Sequence, residues 1–365
     1  MFKNELVLMA TEELTRPAGL VDVGAIADAF AADYAFADYR SRRAENTLRS
    51  QGADLAMFAR FLVTKLRLRL PDDLPLYLVG AEDAAGVEPY TLWARKFMRD
   101  REAWIGISWG TVQAFVNWQL GEGHAIASIN HRLSTVKKYA SLAFKAGAID
   151  ADAYQLIKVV NGYAGKEAKR IDERREVTRV GHKKAKWVSL TVDQAKALKT
   201  NPDTPQGRRD ALLLCLLVDH GLRVGEVVQL EVTAFDLKAG TLVFYRPKVD
   251  LTQTHKLTAD TLRAVRAWVD SGDCPAMGPI LRGSRKGGAL TTAGLSERSA
   301  SERVRELGER LGVQGLSAHD CRHFWATYWA PRIGEFRLQE AGGWSSLAMP
   351  RRYVDWAKIA NEGMA

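Results

Sequence analysis

The stretch LSAHDCRHFWAT, residues 316–327, sets a histidine and an arginine three positions apart just after a serine. Ser317 suits a helix N-cap, which puts His319 and Arg322 in the first turns of a helix and on one face of it. Backbone N–H groups and the helix dipole already favour anions there. An imidazole and a guanidinium projecting from that end make a site for phosphate oxygens. Taken alone the pair is a weak signal, because most such pairs are ordinary surface groups. A second arginine strengthens it. In DHGLRVGEVVQL, Gly221 ends one helix and Arg223 opens the next, with Val224, Val227 and Val228 as that helix's buried face. Glu226, three residues on, either holds the Arg223 guanidinium or forms a plain surface ion pair. Near the carboxyl end, LQEAGGWSSLAMPRRYVDW turns at Gly342 and Gly343. Ser345 or Ser346 can then cap a helix carrying Met349 and Tyr353. By spacing alone, Tyr353 and Trp344 read as packing residues.

These groups need elements to hold them. Residues 1–45 form an acidic segment: up to residue 40 they hold Lys3, Arg16 and Arg40 against seven carboxylates. Ile26, Phe30 and Tyr34 recur every fourth residue there, the stripe of a helix that packs against the same chain or against a neighbour. Residues 46–164 read as a helical domain. Leu55, Phe58, Ala59 and Leu62 form one apolar face, and Val112, Phe115 and Val116 form another. A third helix, SINHRLSTVKKYASLAFKAG, is expected to open at Ser128 and close at Gly147. Its Arg132, Lys137 and Lys138 lie beside an apolar stripe, so they are either a solvated basic face or contacts to a polyanion. Residues 165–187 hold nine Lys/Arg against four Asp/Glu and keep no apolar stripe. They read as an exposed basic connector whose Lys183 and Lys184 can lie along a phosphate backbone or merely solubilise it. From 188 to 365 a second domain follows: a capped helix at Thr191, a buried helix ALLLCLLV, a strand GTLVFYRPK, a turn VDLT, a returning strand QTHKL, then helices.

The bulk numbers agree with a polyanionic partner. The chain has 365 residues, 47% hydrophobic, and a formal charge of +9; two domains is the default at that length, and the basic excess favours nucleic acid. Three cysteines, Cys215, Cys274 and Cys321, match no metal spacing and read as reduced thiols of a cytoplasmic protein. No apolar run is long enough to span a bilayer, and the first residues lack a signal-peptide layout.

HGLRVGEVVQL, HDCRHFWAT and LQEAGGWSSLAMPRRYVDW together closely resemble the three boxes of the tyrosine recombinase (phage integrase) family. The likeness is strong over 188–365, and 46–164 is similar in outline to the family's core-binding domain. It implies a mainly α, two-domain DNA clamp: a helical core-binding domain plus a mostly helical catalytic domain with a small antiparallel β-sheet. It implies an active site of Arg223, His319, Arg322, Trp344 and Tyr353, beside which Glu226 is the candidate support by its spacing from Arg223. Lys248 in YRPKVDLTQTHKL matches the family's hairpin lysine better than Lys256 does. Two positions depart from the usual pattern: Cys321 stands where leucine is common, and Trp344 where histidine is. An indole N–H donates but cannot shuttle a proton, so Trp344 is expected to orient and pack, leaving His319 as the site's only proton-moving histidine.

The chemistry the resemblance implies is attack by the Tyr353 oxygen on a DNA phosphodiester. A 3′-phosphotyrosyl link forms and a 5′-hydroxyl is freed, conserving the bond energy without metal or nucleotide cofactor. Arg223 and Arg322 would hold the non-bridging oxygens, His319 accept the phenolic proton, and Lys248 protonate the leaving oxygen. Further expectations are double-stranded DNA as partner, a homo-tetramer on DNA passing through a Holliday junction, and a cytoplasmic, nucleoid-associated location. The acidic start argues against an added basic arm-type module. Two other readings compete. A type IB topoisomerase shares this chemistry but tends to have lysine where His319 stands. A non-catalytic DNA-binding regulator on the same scaffold would be expected to lack part of the set.

Overall fold

The computed structural model describes residues 20–68, 89–181 and 187–357. The chain divides into two compact units, Met1–Lys183 and Lys184–Ala365. Among the described residues, no helix is long and apolar enough to cross a membrane.

The first unit is all helical: α1 (Leu20–Ser41), α2 (Glu45–Leu66), α3 (Pro89–Arg99), α4 (Trp109–Gly121), α5 (Ile126–Lys145), α6 (Ala151–Val159) and α7 (Gly165–Asp172). The apolar face foreseen on α2 is buried, and Phe58 sits at the centre of an aromatic core. Its ring lies 5.1 Å from Phe115, 5.6 Å from Phe97 and 6.2 Å from Trp104. Trp104 Nε1 donates to Phe97 O at 2.9 Å, so the buried indole has its partner.

The structure adds to the sequence reading at three points here. The stripe Ile26, Phe30 and Tyr34 does not pack on its own unit; all three are exposed, and Phe36 and Tyr39, one turn on, enter the core instead. The α5 helix opens at Ile126 after Ala125, so Ser128 lies inside its first turn rather than capping it. The basic connector contains α7, which buries no residue. Beyond that helix, Arg175 Nη1 donates to Leu120 O at 3.1 Å and His124 O at 3.0 Å, so the segment packs on the first unit.

The second unit surrounds α9 (Pro205–Val218), whose residues Leu212–Val218 are all buried. Around it stand α8 (Val192–Lys199), α10 (Val224–Val228), α11 (Ala259–Asp270), α12 (Glu297–Arg310), α13 (Ala318–Gly342) and α14 (Ala348–Ala357). Thr191 and Gln194 form the foreseen capping box at α8. A three-stranded antiparallel sheet runs β1 (Phe235–Asp236), β2 (Thr241–Arg246), β3 (Leu251–Lys256), with Arg246 opposite Leu251. The turn between β2 and β3 is therefore Pro247–Asp250, two residues earlier than VDLT, and it carries Lys248. A second hairpin, β4 (Arg282–Ser284) with β5 (Leu290–Gly294), was not anticipated. The long α13 is two helical segments joined at Gly334, whose φ of 73° breaks the ladder three residues after Pro331. Mostly helical with small antiparallel sheets, the molecule has the expected fold class.

Candidate active site

The foreseen arginine, histidine, tryptophan and tyrosine residues converge in the second unit, and the local sequence explains how each arrives. Gly221 adopts a φ of +60°, and a Cβ there would stand 2.3 Å from the Trp325 ring. The tight turn delivers Arg223 to the start of α10. Glu226 is buried and reaches back: it accepts from the Arg223 N–H at 2.9 Å and from Arg223 Nη1 at 2.6 Å. Its Oε2 also takes Arg246 Nη1 at 2.8 Å. Burial pushes the Glu226 carboxyl up, but Arg246 and Arg223 more than offset it, and the pKa lies below the usual carboxylate value.

Arg322 rises from the first turns of α13 and is buried. Its guanidinium donates to Gly221 O and Gly342 O and lies over the Trp344 ring, 4.5 Å from the centroid. Desolvation, then the charges of Arg223 and Arg246, lower its pKa to about 9. Asp320 fixes the same helix start, accepting from Ser317 N–H at 2.8 Å and Oγ at 2.7 Å through one oxygen and from Val188 N–H at 3.1 Å through the other.

His319 is exposed at the rim of this cluster. Desolvation, then the charges of Arg322, Arg223 and Lys248, hold its pKa below the ordinary histidine value, against Asp320. Lys248 is exposed on the hairpin turn and close enough for its charge to act on His319. Lys256 stands at the far end of β3, opposite Thr241.

Tyr353 is buried on α14. Its ring lies 5.9 Å from Trp344. Burial raises the phenol's pKa, and Arg322 and Arg352 oppose the rise. Its hydroxyl does not meet His319. It is 2.9 Å from His323 Nδ1, so a second histidine, which the sequence reading does not single out, stands against the phenol. The signal was available: residues 319 and 323 are four apart on one helix face.

Arg246 was also missed. It closes the alternating strand TLVFYR on the inward side, after Leu242 and Phe244, and is wholly buried. Period-two alternation puts it there, and a buried guanidinium calls for a carboxylate, here Glu226. It further donates to Gln253 Oε1, and through Nη2 to Ala341 O at 2.9 Å. Gln253 Nε2 donates to Glu340 O at 2.6 Å. The last carbonyls of α13 lie at a helix end and are thus held by Gln253, Arg246 and Arg322, with the Gly343 N–H also donating to Glu340 O at 3.0 Å. The turn that follows needs Gly343 at φ +58°, where a Cβ would meet Arg246 Cδ at 2.4 Å. The sheet and α13 together fix the turn before Trp344 and Tyr353.

The candidates for DNA contact fare differently. Arg132 is half-buried and donates to Gln119 Oε1 at 3.0 Å. Lys137 Nζ donates to Lys158 O at 2.6 Å and Val160 O at 2.7 Å, so it closes the end of α6 instead of standing on a solvated face. Lys138 is exposed, 5.4 Å over the Tyr39 ring. Lys183 and Lys184 lie outside the described residues.

A helical unit followed by a mostly helical one in which two arginines, a histidine, a tryptophan and a tyrosine meet beside a small sheet is the architecture of a DNA strand-transferring enzyme of the integrase type. Residues 188–358 match the phage integrase family, the tyrosine recombinases. Tyrosine recombinase XerC of Xylella fastidiosa (strain M23) is 28% identical over 253 residues, covering 68% of this chain and 77% of that protein. Tyrosine recombinase XerC of Pseudomonas aeruginosa is 33% identical over 159 residues, covering 42% of this chain and 50% of that protein. The fold is similar to XerH site-specific recombinase bound to a palindromic difH substrate in a post-cleavage complex, with a TM-score of 0.56 and 18% identity, over 86% of this chain and 95% of that one. It is also similar to a lambda integrase dimer bound to a COC′ core site, with a TM-score of 0.50 and 17% identity, over 76% and 94% of the two chains.

Proposed function

We propose that this protein is a site-specific DNA recombinase that cleaves and rejoins strands through a 3′-phosphotyrosyl intermediate. The observation that carries the reading is the buried Tyr353 beside Arg322 and Trp344, with Arg223 fixed by Glu226 in the same cluster. A phosphodiester resists attack because its oxygens are anionic and gain charge in the transition state. Guanidiniums held in advance by carbonyls and a carboxylate stabilise that charge without reorganising, which is worth about 3–4 kcal/mol per donor in comparable sites. Arg223 and Arg322 are the donors, Trp344 lies against both Arg322 and the tyrosine ring, and His319 donates to a non-bridging oxygen. Lys248 protonates the leaving 5′-oxygen. The reaction as proposed needs no nucleotide or metal cofactor.

In the full reaction, the freed 5′-hydroxyl of one duplex attacks the phosphotyrosine of another, giving a Holliday junction on a homo-tetramer bound to two double-stranded DNAs. A nicked duplex whose short fragment bearing the freed 5′-hydroxyl diffuses away after cleavage traps the covalent step. The wild-type chain should accumulate a protein–DNA adduct on it. Tyr353→Phe should bind the same duplex and yield none, and an adduct formed by that variant would overturn the reading. Reciprocal joined products, rather than relaxed plasmid alone, separate recombination from topoisomerase action.

A further inference from the structure

His323 stands against the nucleophile, yet the family boxes gave it no role. Its Nδ1 lies 2.9 Å from Tyr353 Oη, with the two rings 5.5 Å apart. Trp187 stacks on its imidazole at 5.3 Å and 10°. His319 meets it edge-on, 4.6 Å away at 86°. The stack is braced, because the residue after Trp187 donates its N–H to Asp320, on the helix that carries His323. The imidazole therefore has a fixed direction, with one ring nitrogen aimed at the phenol. Among the described residues, Arg322 and Arg352 act on Tyr353, and His319 stands against His323.

We infer that His323 is a catalytic residue: Nδ1 takes the phenolic proton as Tyr353 Oη bonds to phosphorus. The inference rests on the reading of Tyr353 as nucleophile. In the cleavage step the O–H bond breaks and its proton passes to Nδ1, the P–O5′ bond breaks, and the leaving oxygen takes a proton from Lys248 Nζ. Rejoining runs the same transfers backwards, with the imidazolium returning its proton to the departing tyrosine. His323 accepts through Nδ1 only as the neutral tautomer that carries its proton on Nε2. His319 suits the other task. It sits among cations that disfavour its protonation and carries no bond to the phenol.

The test is single-turnover cleavage of the nicked duplex by the full chain, with ordinary and 5′-bridging-sulfur scissile phosphates. His323→Phe keeps an aromatic ring against Trp187, and His323→Asn keeps an acceptor that is not a base. Thermal melting and duplex binding check that each variant folds. Both variants should cleave about 100-fold more slowly or worse at pH 7. Raising the pH to 9 should recover about tenfold of that loss in the variants, since hydroxide then takes the proton, and change the wild type far less. Sulfur is a good leaving group without a proton, so Lys248→Met should be rescued on that substrate and the His323 variants should not. His323→Asn cleaving within about threefold of the wild type would overturn the inference, and so would rescue of the His323 variants by sulfur. An adduct formed by Tyr353→Phe would instead overturn the underlying reading.

Discussion

The two units each carry a set of basic side chains bound to backbone carbonyls and amides, and put them to different ends. On α5, Lys137 closes the last turn of α6 and Arg132 holds Gln119, so those cations stabilise the helices they touch. In the second unit, Arg322 and Arg246 also donate to carbonyls, but those carbonyls flank the turns that deliver Arg223, Trp344 and Tyr353. The same donor chemistry is structural in one place and, in the proposed reaction, catalytic in the other. What differs is burial and convergence. Arg322, Arg246 and Glu226 are nearly or wholly removed from water and share one cluster. Charges there are fixed in direction and strengthened by a low local dielectric.

Substitutions can break that contrast or sharpen it. The largest effect should come from Arg322→Ala, which removes a phosphate donor and the bonds to Gly221 and Gly342. Adduct formation should fall by about 10³-fold or more while duplex affinity drops far less; a loss in affinity alone would make Arg322 an ordinary phosphate contact. Next comes Arg246→Met, which leaves Glu226 buried with one partner fewer. Chemical denaturation should show a loss of about 3 kcal/mol, with slower cleavage because Arg223 and the Gly342–Gly343 turn lose their brace. Unchanged cleavage would separate the hairpin from the site.

A third effect concerns His220, which is buried with Nε2 3.0 Å from Thr261 Oγ1 and has its pKa lowered by desolvation from 6.5 to about 4. Between those values the unfolded chain binds a proton that the folded chain refuses. Stability is therefore full above pH 6.5 and falls as the pH drops towards 4. Comparing melts of the wild type and His220→Gln across that window should show a shallower slope in the variant, by about 3 kcal/mol in total. Smallest is Lys137→Met in the first unit, which should cost about 1 kcal/mol of stability and leave the salt dependence of duplex binding unchanged. A phosphate contact would instead lower the slope of log affinity against log salt by about 0.9.

Much of the site was legible in the sequence because helix caps, glycine turns and a spacing of three or four act locally. Ser317, Gly221 and Gly343 place Arg322, Arg223 and Trp344 where the pattern says. Glu226, open to two readings, holds two arginines because the strand that brings Arg246 to it is twenty residues away, and no local rule contains that pairing. The Tyr353–His323 bond spans thirty residues in the same way. Net charge misled on α5, since it cannot tell a lysine facing solvent from one that closes a neighbouring helix. The stripe on α1 left its partner open because a helical period says which residues share a face and not what covers it.

The central claim is that one phenol becomes bonded to DNA phosphorus. Digesting the trapped adduct with nuclease and protease and sequencing the modified peptide by mass spectrometry tests it directly. The expected product is a nucleotide on the oxygen of Tyr353, carried through its 3′-phosphate. A nucleotide on another residue, or cleaved strands whose ends are all free of protein, would contradict it.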